Sequence, residues 1–137
     1  MNHSIGEMIK IISEDMQKRR DNDLKVLGLT FSQLRALMII SKYSGEITQR
    51  ELEEKLYVSH SATHGTIVRL EEKGLIKTES DETDKRNKRL LVTGIGQEKI
   101  DVLKNNRQNN PLPIDALSKE EKEELKRLLA IIVENIK

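Results

Sequence analysis

Cysteine is absent from the 137 residues, and with it any disulfide, thiolate metal site or thiol redox sensor. There are only three aromatic side chains, Phe31, Tyr43 and Tyr57. That is too few for the exposed rings on which single-stranded nucleic acids stack. No run of about 18 apolar residues occurs, so no segment is expected to span a membrane. The opening MNHSIGEMIK lacks the basic stretch and apolar core of a secretory signal, and a cytoplasmic location is the default expectation. Charge of one sign is not in excess either: the formal net charge is +1. A neutral total neither supports nor excludes nucleic-acid binding, because electrostatic footprints are local patches. There is no Gly-rich phosphate loop, no cysteine nucleophile and no clustered His–carboxylate pattern, so neither an enzyme nor a cofactor is expected.

What the chain does have is helical periodicity with clear start signals. Ile5, Met8, Ile9, Ile12 and Met16 share one helical face. That helix is expected to continue to about Val26 and stop near Gly28, as an arm docking on the domain or on a second copy. Thr30-Phe31-Ser32-Gln33 and Thr48-Gln49-Arg50-Glu51 both fit the capping box, in which a hydroxyl accepts the N3 amide proton and the N3 side chain reaches back. The first opens a helix with Leu34, Leu37 and Met38 inward, the second a short helix with Leu52 and Leu56 inward. Ser59 looks like the N-cap of a third helix, which buries Ile67 and Leu70 and stops at Gly74.

After Gly74 the period changes. Leu75 to Ser80 and Lys88 to Thr93 read as two strands joined by a polar loop, a hairpin with a charged tip. Its DKRNKR run, Asp84 to Arg89, holds four cations and one anion. Thr93 can cap another helix, thinly apolar and expected to break at the Asn-rich run KNNRQNNPLP. Ser118-Lys119-Glu120-Glu121 is a third capping box. It opens a helix bearing Leu125, Leu128, Leu129, Ile132, Val133 and Ile136.

Helix, helix, short turn, helix, hairpin is the order of a winged helix-turn-helix. The fold class expected is mainly α with a small antiparallel β-hairpin wing. Particular residues are similar to the MarR family: Thr30-x-x-Gln33-x-x-x-Leu37, Thr48-Gln49-x-Glu51-Leu52, Val58-Ser59, and Arg69-Leu70-Glu71-x-Lys73-Gly74-Leu75-Ile76. Asp84-Lys85-Arg86 followed by Thr93 is the most specific part, and Leu117-Ser118-x-x-Glu121 with Leu125, Leu128 and Leu129 is similar to the family's closing helix. The resemblance implies a symmetric homodimer with intertwined terminal helices. It divides the chain into an N-terminal dimerisation helix (1–29), a DNA-binding domain (30–93) and C-terminal dimerisation helices (94–137). Dimerisation is expected of Ile5, Met8, Ile9 and Ile12, and of Leu125, Leu128, Leu129, Ile132, Val133 and Ile136.

The N-terminal part of a recognition helix enters the major groove. With Ile67 and Leu70 inward, His60, Ser61, His64, Gly65 and Val68 lie outward, Ser59 and Thr63 complete the candidate surface, and Thr66 lies at the flank. His60 and His64, four apart, could instead ligate a metal, but no third ligand of matching type lies near in sequence. Gly65 costs about 1 kcal/mol relative to Ala inside a helix, which close approach to DNA or to the preceding helix could offset. The resemblance implies that Arg86 inserts into the minor groove, with Lys85, Lys88 and Arg89 on phosphates and Asp84 fixing the loop. Gln49 and Arg50 are candidate backbone contacts. The function expected is a regulator of a pseudo-palindromic operator on double-stranded DNA, a repressor released by a small-molecule effector. The alternative is a winged-helix protein-interaction module without DNA binding.

Overall fold

The Thr30 capping box closes as expected. Thr30 Oγ1 accepts from Gln33 N at 3.2 Å, and Gln33 Oε1 accepts from Thr30 N at 3.3 Å. In the computed structural model, which describes residues 2–80 and 88–136, this box starts α2 (Phe31–Lys42). α2 buries Leu34, Ala36, Leu37 and Ile40 at the centre of the core. Before it runs α1 (Ile5–Leu27), capped by Ser4 and ended by Gly28 in the left-handed region at φ 68°. Two lysines tie down its end: Lys99 Nζ donates to Leu27 O, and Lys73 Nζ donates to Gly28 O and Gln33 Oε1. Carbonyls at a helix end have no partner inside the helix, and ammonium groups satisfy them here.

α3 (Gln49–Leu56) and α4 (His60–Glu72) follow, with the strands β1 (Ile47–Thr48), β2 (Ile76–Ser80) and β3 (Lys88–Val92). The sheet order is β1-β3-β2, antiparallel throughout, with Ile76 opposite Val92 and Ser80 opposite Lys88. β1 was not expected. Two residues are too short for a period-2 signal, and pairing with Leu90 and Arg89 alone makes Ile47–Thr48 a strand. The Thr48 box closes only by half. Thr48 Oγ1 accepts from Glu51 N, but Glu51 Oε1 accepts from the Thr48 hydroxyl rather than from the backbone.

Thr93 starts α5 (Gly94–Asn109) as expected, its Oγ1 accepting from Gly96 N at 3.1 Å while its hydroxyl donates to Gly74 O at 2.6 Å. A Cβ on Gly96 would lie 2.2 Å from Leu75 O, so only glycine lets α5 approach the chain at Leu75. The Asn-rich run, expected to break this helix, is helical to Asn109. The stop falls before Pro111, which lacks an N–H and disfavours helical geometry in its predecessor. The core also crosses the expected boundaries at 29/30 and 93/94, since Leu27, Leu29, Ile100 and Leu103 belong to it.

Contacts divide the chain into two units, Met1–Leu103 and Lys104–Lys137. The second unit holds the end of α5, a 3-10 turn (Pro113–Ala116) and α6 (Lys119–Glu134). Ser118 caps α6 with a complete box, and Lys122 donates to Asp115 at 2.9 Å. The Ser118 amide, and then its hydroxyl, hold the Glu121 carboxyl below the usual carboxylate range. Every residue of α6 is described and none is buried. Leu125, Leu129, Ala130 and Val133, with Ile114, Lys122 and Lys126, line an open apolar groove of about 460 Å³. No single helix among the described residues is long and apolar enough to cross a membrane.

Candidate nucleic-acid interface

Two helices and a tight turn build the candidate site. α3 ends in Tyr57 at φ 55°, a left-handed conformation that L residues adopt at a cost. The Arg35 guanidinium, reaching over from α2, donates to Leu56 O at 3.1 Å and Lys55 O at 3.5 Å, and so holds the end of α3 in place. Two residues on, Ser59 Oγ accepts from Ala62 N at 3.2 Å and starts α4. A seven-residue hydrogen-bonded contact also spans the turn, where the His60 imidazole meets Glu53.

The helix splits cleanly into two faces. Ile67 and Leu70 are buried, as expected, whereas His60, Ser61, His64, Gly65 and Val68 are exposed. Thr63 corrects the expectation. It is fully buried, and its hydroxyl donates to Ser59 O at 2.9 Å, so it serves the fold and is not available to a ligand outside. It lies seven residues before Leu70 and four before Ile67, on the inward stripe. Thr66 likewise turns its hydroxyl back, onto Ala62 O at 3.1 Å.

Gly65 behaves differently from Gly96. A Cβ at Gly65 would meet nothing within 4 Å among the described residues, so the preceding helix does not demand glycine here. Of the two compensations expected for its helix cost, only approach by an external partner remains.

Gln49 is half-buried at the start of α3, and its amide donates to Glu53 Oε1 at 3.2 Å, while Arg50 is exposed. Lys88 and Arg89 are exposed on β3. Consecutive strand residues face opposite ways, so Lys88 shares the face of buried Leu90 and Arg89 lies on the other. Glu79 and Thr48 stand opposite Arg89 on the flanking strands. Asp84, Lys85 and Arg86 lie outside the described residues.

Glu53 and Arg35 are the site residues that sequence reasoning missed. The i, i+4 spacing of Gln49 and Glu53 was a usable signal. The contacts of Glu53 with His60 and of Arg35 with Leu56 cross turns and leave no local pattern.

The MarR family model matches residues 27–87. The organic hydroperoxide resistance transcriptional regulator of Bacillus subtilis (strain 168) is 29% identical over 116 residues, which are 85% of this chain and 76% of the relative. The crystal structure of MarR is 27% identical with a TM-score of 0.65, and 96% of each chain is covered. The S. aureus MepR–DNA complex is 21% identical with a TM-score of 0.75, covering 98% of this chain and 100% of that one. At that identity the agreement concerns the fold.

Proposed function

We propose that the chain is a transcriptional regulator of the MarR family, not an enzyme, and that it regulates transcription by binding double-stranded DNA. The observation that carries this reading is the outer face of α4. Five residues there are exposed, and one is a helical glycine with no described atom within 4 Å of where its Cβ would stand. A helix laid in the major groove needs such a face. Small residues let the backbone approach base edges, and His60, Ser61 and His64 supply hydrogen-bonding groups. Arg86, with Lys85 beside it and Asp84 fixing the loop, is assigned to the minor groove. Lys88, Arg89, Gln49 and Arg50 are assigned to phosphates.

The functional unit is a homodimer on a pseudo-palindromic operator. In support, Ile5, Met8, Ile9, Ile12 and Met16 of α1 are 45–70% exposed, and Leu128, Leu129, Ile132, Val133 and Ile136 at the other terminus are 42–72% exposed. Apolar rows of this extent are stable in water when a second copy covers them. Residues 1–29 and 94–137 thus associate, and residues 30–93 read DNA. Repression ends when a small molecule binds one dimer shape better than the other. Control by thiol oxidation is excluded for these residues, which include no cysteine.

The test is a footprint on DNA upstream of the chain's own gene, with binding followed by anisotropy over a salt series. Two protected half-sites about one helical turn apart are expected. Affinity should fall steeply with salt and drop on Arg86→Ala. Absence of salt-dependent binding to any duplex in a random pool would sink the reading and favour the protein-interaction module.

A further inference from the structure

Glu53 is a carboxylate on a surface assigned to a polyanion, which by charge alone is unfavourable. Its surroundings suggest why it is there. The His60 imidazole contacts Glu53 Oε1 through Nδ1, and Gln49 Nε2 donates to the same oxygen at 3.2 Å. The Glu53 side chain is only 19% exposed, whereas that of His60 is 78% exposed. One edge of the ring is therefore pinned to α3 while the rest stands in solvent at the first turn of α4.

The chemistry of that contact sets the tautomer. An unprotonated Nδ1 would turn its lone pair on a carboxylate, so Nδ1 must carry the proton. In the neutral imidazole Nε2 is then an acceptor. Gln49 lies 3.5 Å from Nδ1 and offers a donor, but that geometry is longer and competes for an atom already committed to Glu53.

We infer that Glu53 is a positioning residue that holds His60 in the Nδ1–H tautomer, so that Nε2 accepts a hydrogen bond from the exocyclic amino group of adenine or cytosine in the major groove. The inference rests on the DNA-binding reading for its second half only. In the major groove these amines are the donors, whereas guanine and thymine present acceptors there. Free histidine favours the Nε2–H form, which would reverse that preference. A residue seven positions away, across a turn, thereby decides what His60 can read.

The tautomer is measured without DNA, from the ¹⁵N chemical shifts and long-range couplings of the neutral His60 ring. Nδ1–H is expected in the wild type and Nε2–H in Glu53→Ala. Glu53→Met, which keeps the aliphatic stem, is the second variant should Ala disturb α3. An Nε2–H ring in the wild type, or an unchanged ring in both variants, overturns the inference.

The reading half uses a duplex selected by the wild type from a random pool. Glu53→Met should weaken binding about 3- to 10-fold, the size of one hydrogen bond. His60→Gln, which can place an acceptor near the Nε2 position, should retain more affinity than His60→Asn. N6-methyladenine and N4-methylcytosine substitutions distinguish the two amines. One of them should weaken the wild type by a similar factor and leave His60→Ala unaffected. Equal loss in His60→Ala, or no loss with either base, overturns the base assignment. A pool that yields no duplex overturns the DNA reading and leaves the tautomer to test the positioning.

Discussion

Leu70 and Leu129 are both leucines on amphipathic helices, and the chain places them in opposite environments. Leu70, on α4, is fully buried among residues of its own lobe, whereas Leu129, on α6, is 42% exposed. The same contrast holds for the regions around them. α2, α3 and α4 close their apolar stripes on each other and on the sheet, while α1 buries only Leu27 and α6 buries nothing. The lobe is a finished core. The terminal helices carry apolar residues that stay exposed, and the proposed homodimer would cover them with a second copy.

The largest expected effect tests the finished side. Leu70→Ala should cost about 2–5 kcal/mol, because the cavity it leaves cannot be refilled by close-packed neighbours. Denaturation at two protein concentrations should give the same loss. Leu129→Lys tests the unfinished side and should weaken association by about 2–4 kcal/mol, as a charge at the centre of an apolar interface does. Light scattering should then report one chain instead of two, with the lobe still folded by circular dichroism. If wild type and variant scattered alike, the contrast between the two regions would lose its meaning.

Two glycines sharpen the comparison within the lobe. Gly96→Ala should cost about 1–3 kcal/mol, since the new methyl meets a backbone carbonyl that cannot move aside cheaply. Gly65→Ala should raise stability by up to about 1 kcal/mol and lower duplex affinity in the same protein. A variant that is more stable and binds equally well would remove the functional reading of that glycine. The smallest effect concerns the start of α6. Glu121 is held below its ordinary range, so its contribution is present above that range and is lost as pH falls through the lowered value. Helicity should therefore fray slightly in acid below the ordinary carboxylate range, and Glu121→Gln should abolish that dependence.

Local signals were legible wherever a single residue and its third neighbour decide the outcome. Ser59, Thr30, Thr93 and Ser118 all start helices, because a hydroxyl at an N-cap meets an amide only three residues on. Four-residue periodicity likewise separated Ile67 and Leu70 from His60, Ser61 and His64. It failed at Thr63, whose hydroxyl suggested an outward role. A threonine can be buried inside a helix once its hydroxyl bonds back to the carbonyl four residues earlier.

The order of elements, the helix starts and the pairing of the hairpin were thus determined by the chain itself, through interactions that span a few residues. Only the tertiary structure decided that Ile47–Thr48 is a strand, that Gly96 must be glycine while Gly65 need not be, and that Glu53 holds His60. Each of these depends on atoms far apart in sequence meeting across a turn or a packed interface. Local pattern cannot encode that distance.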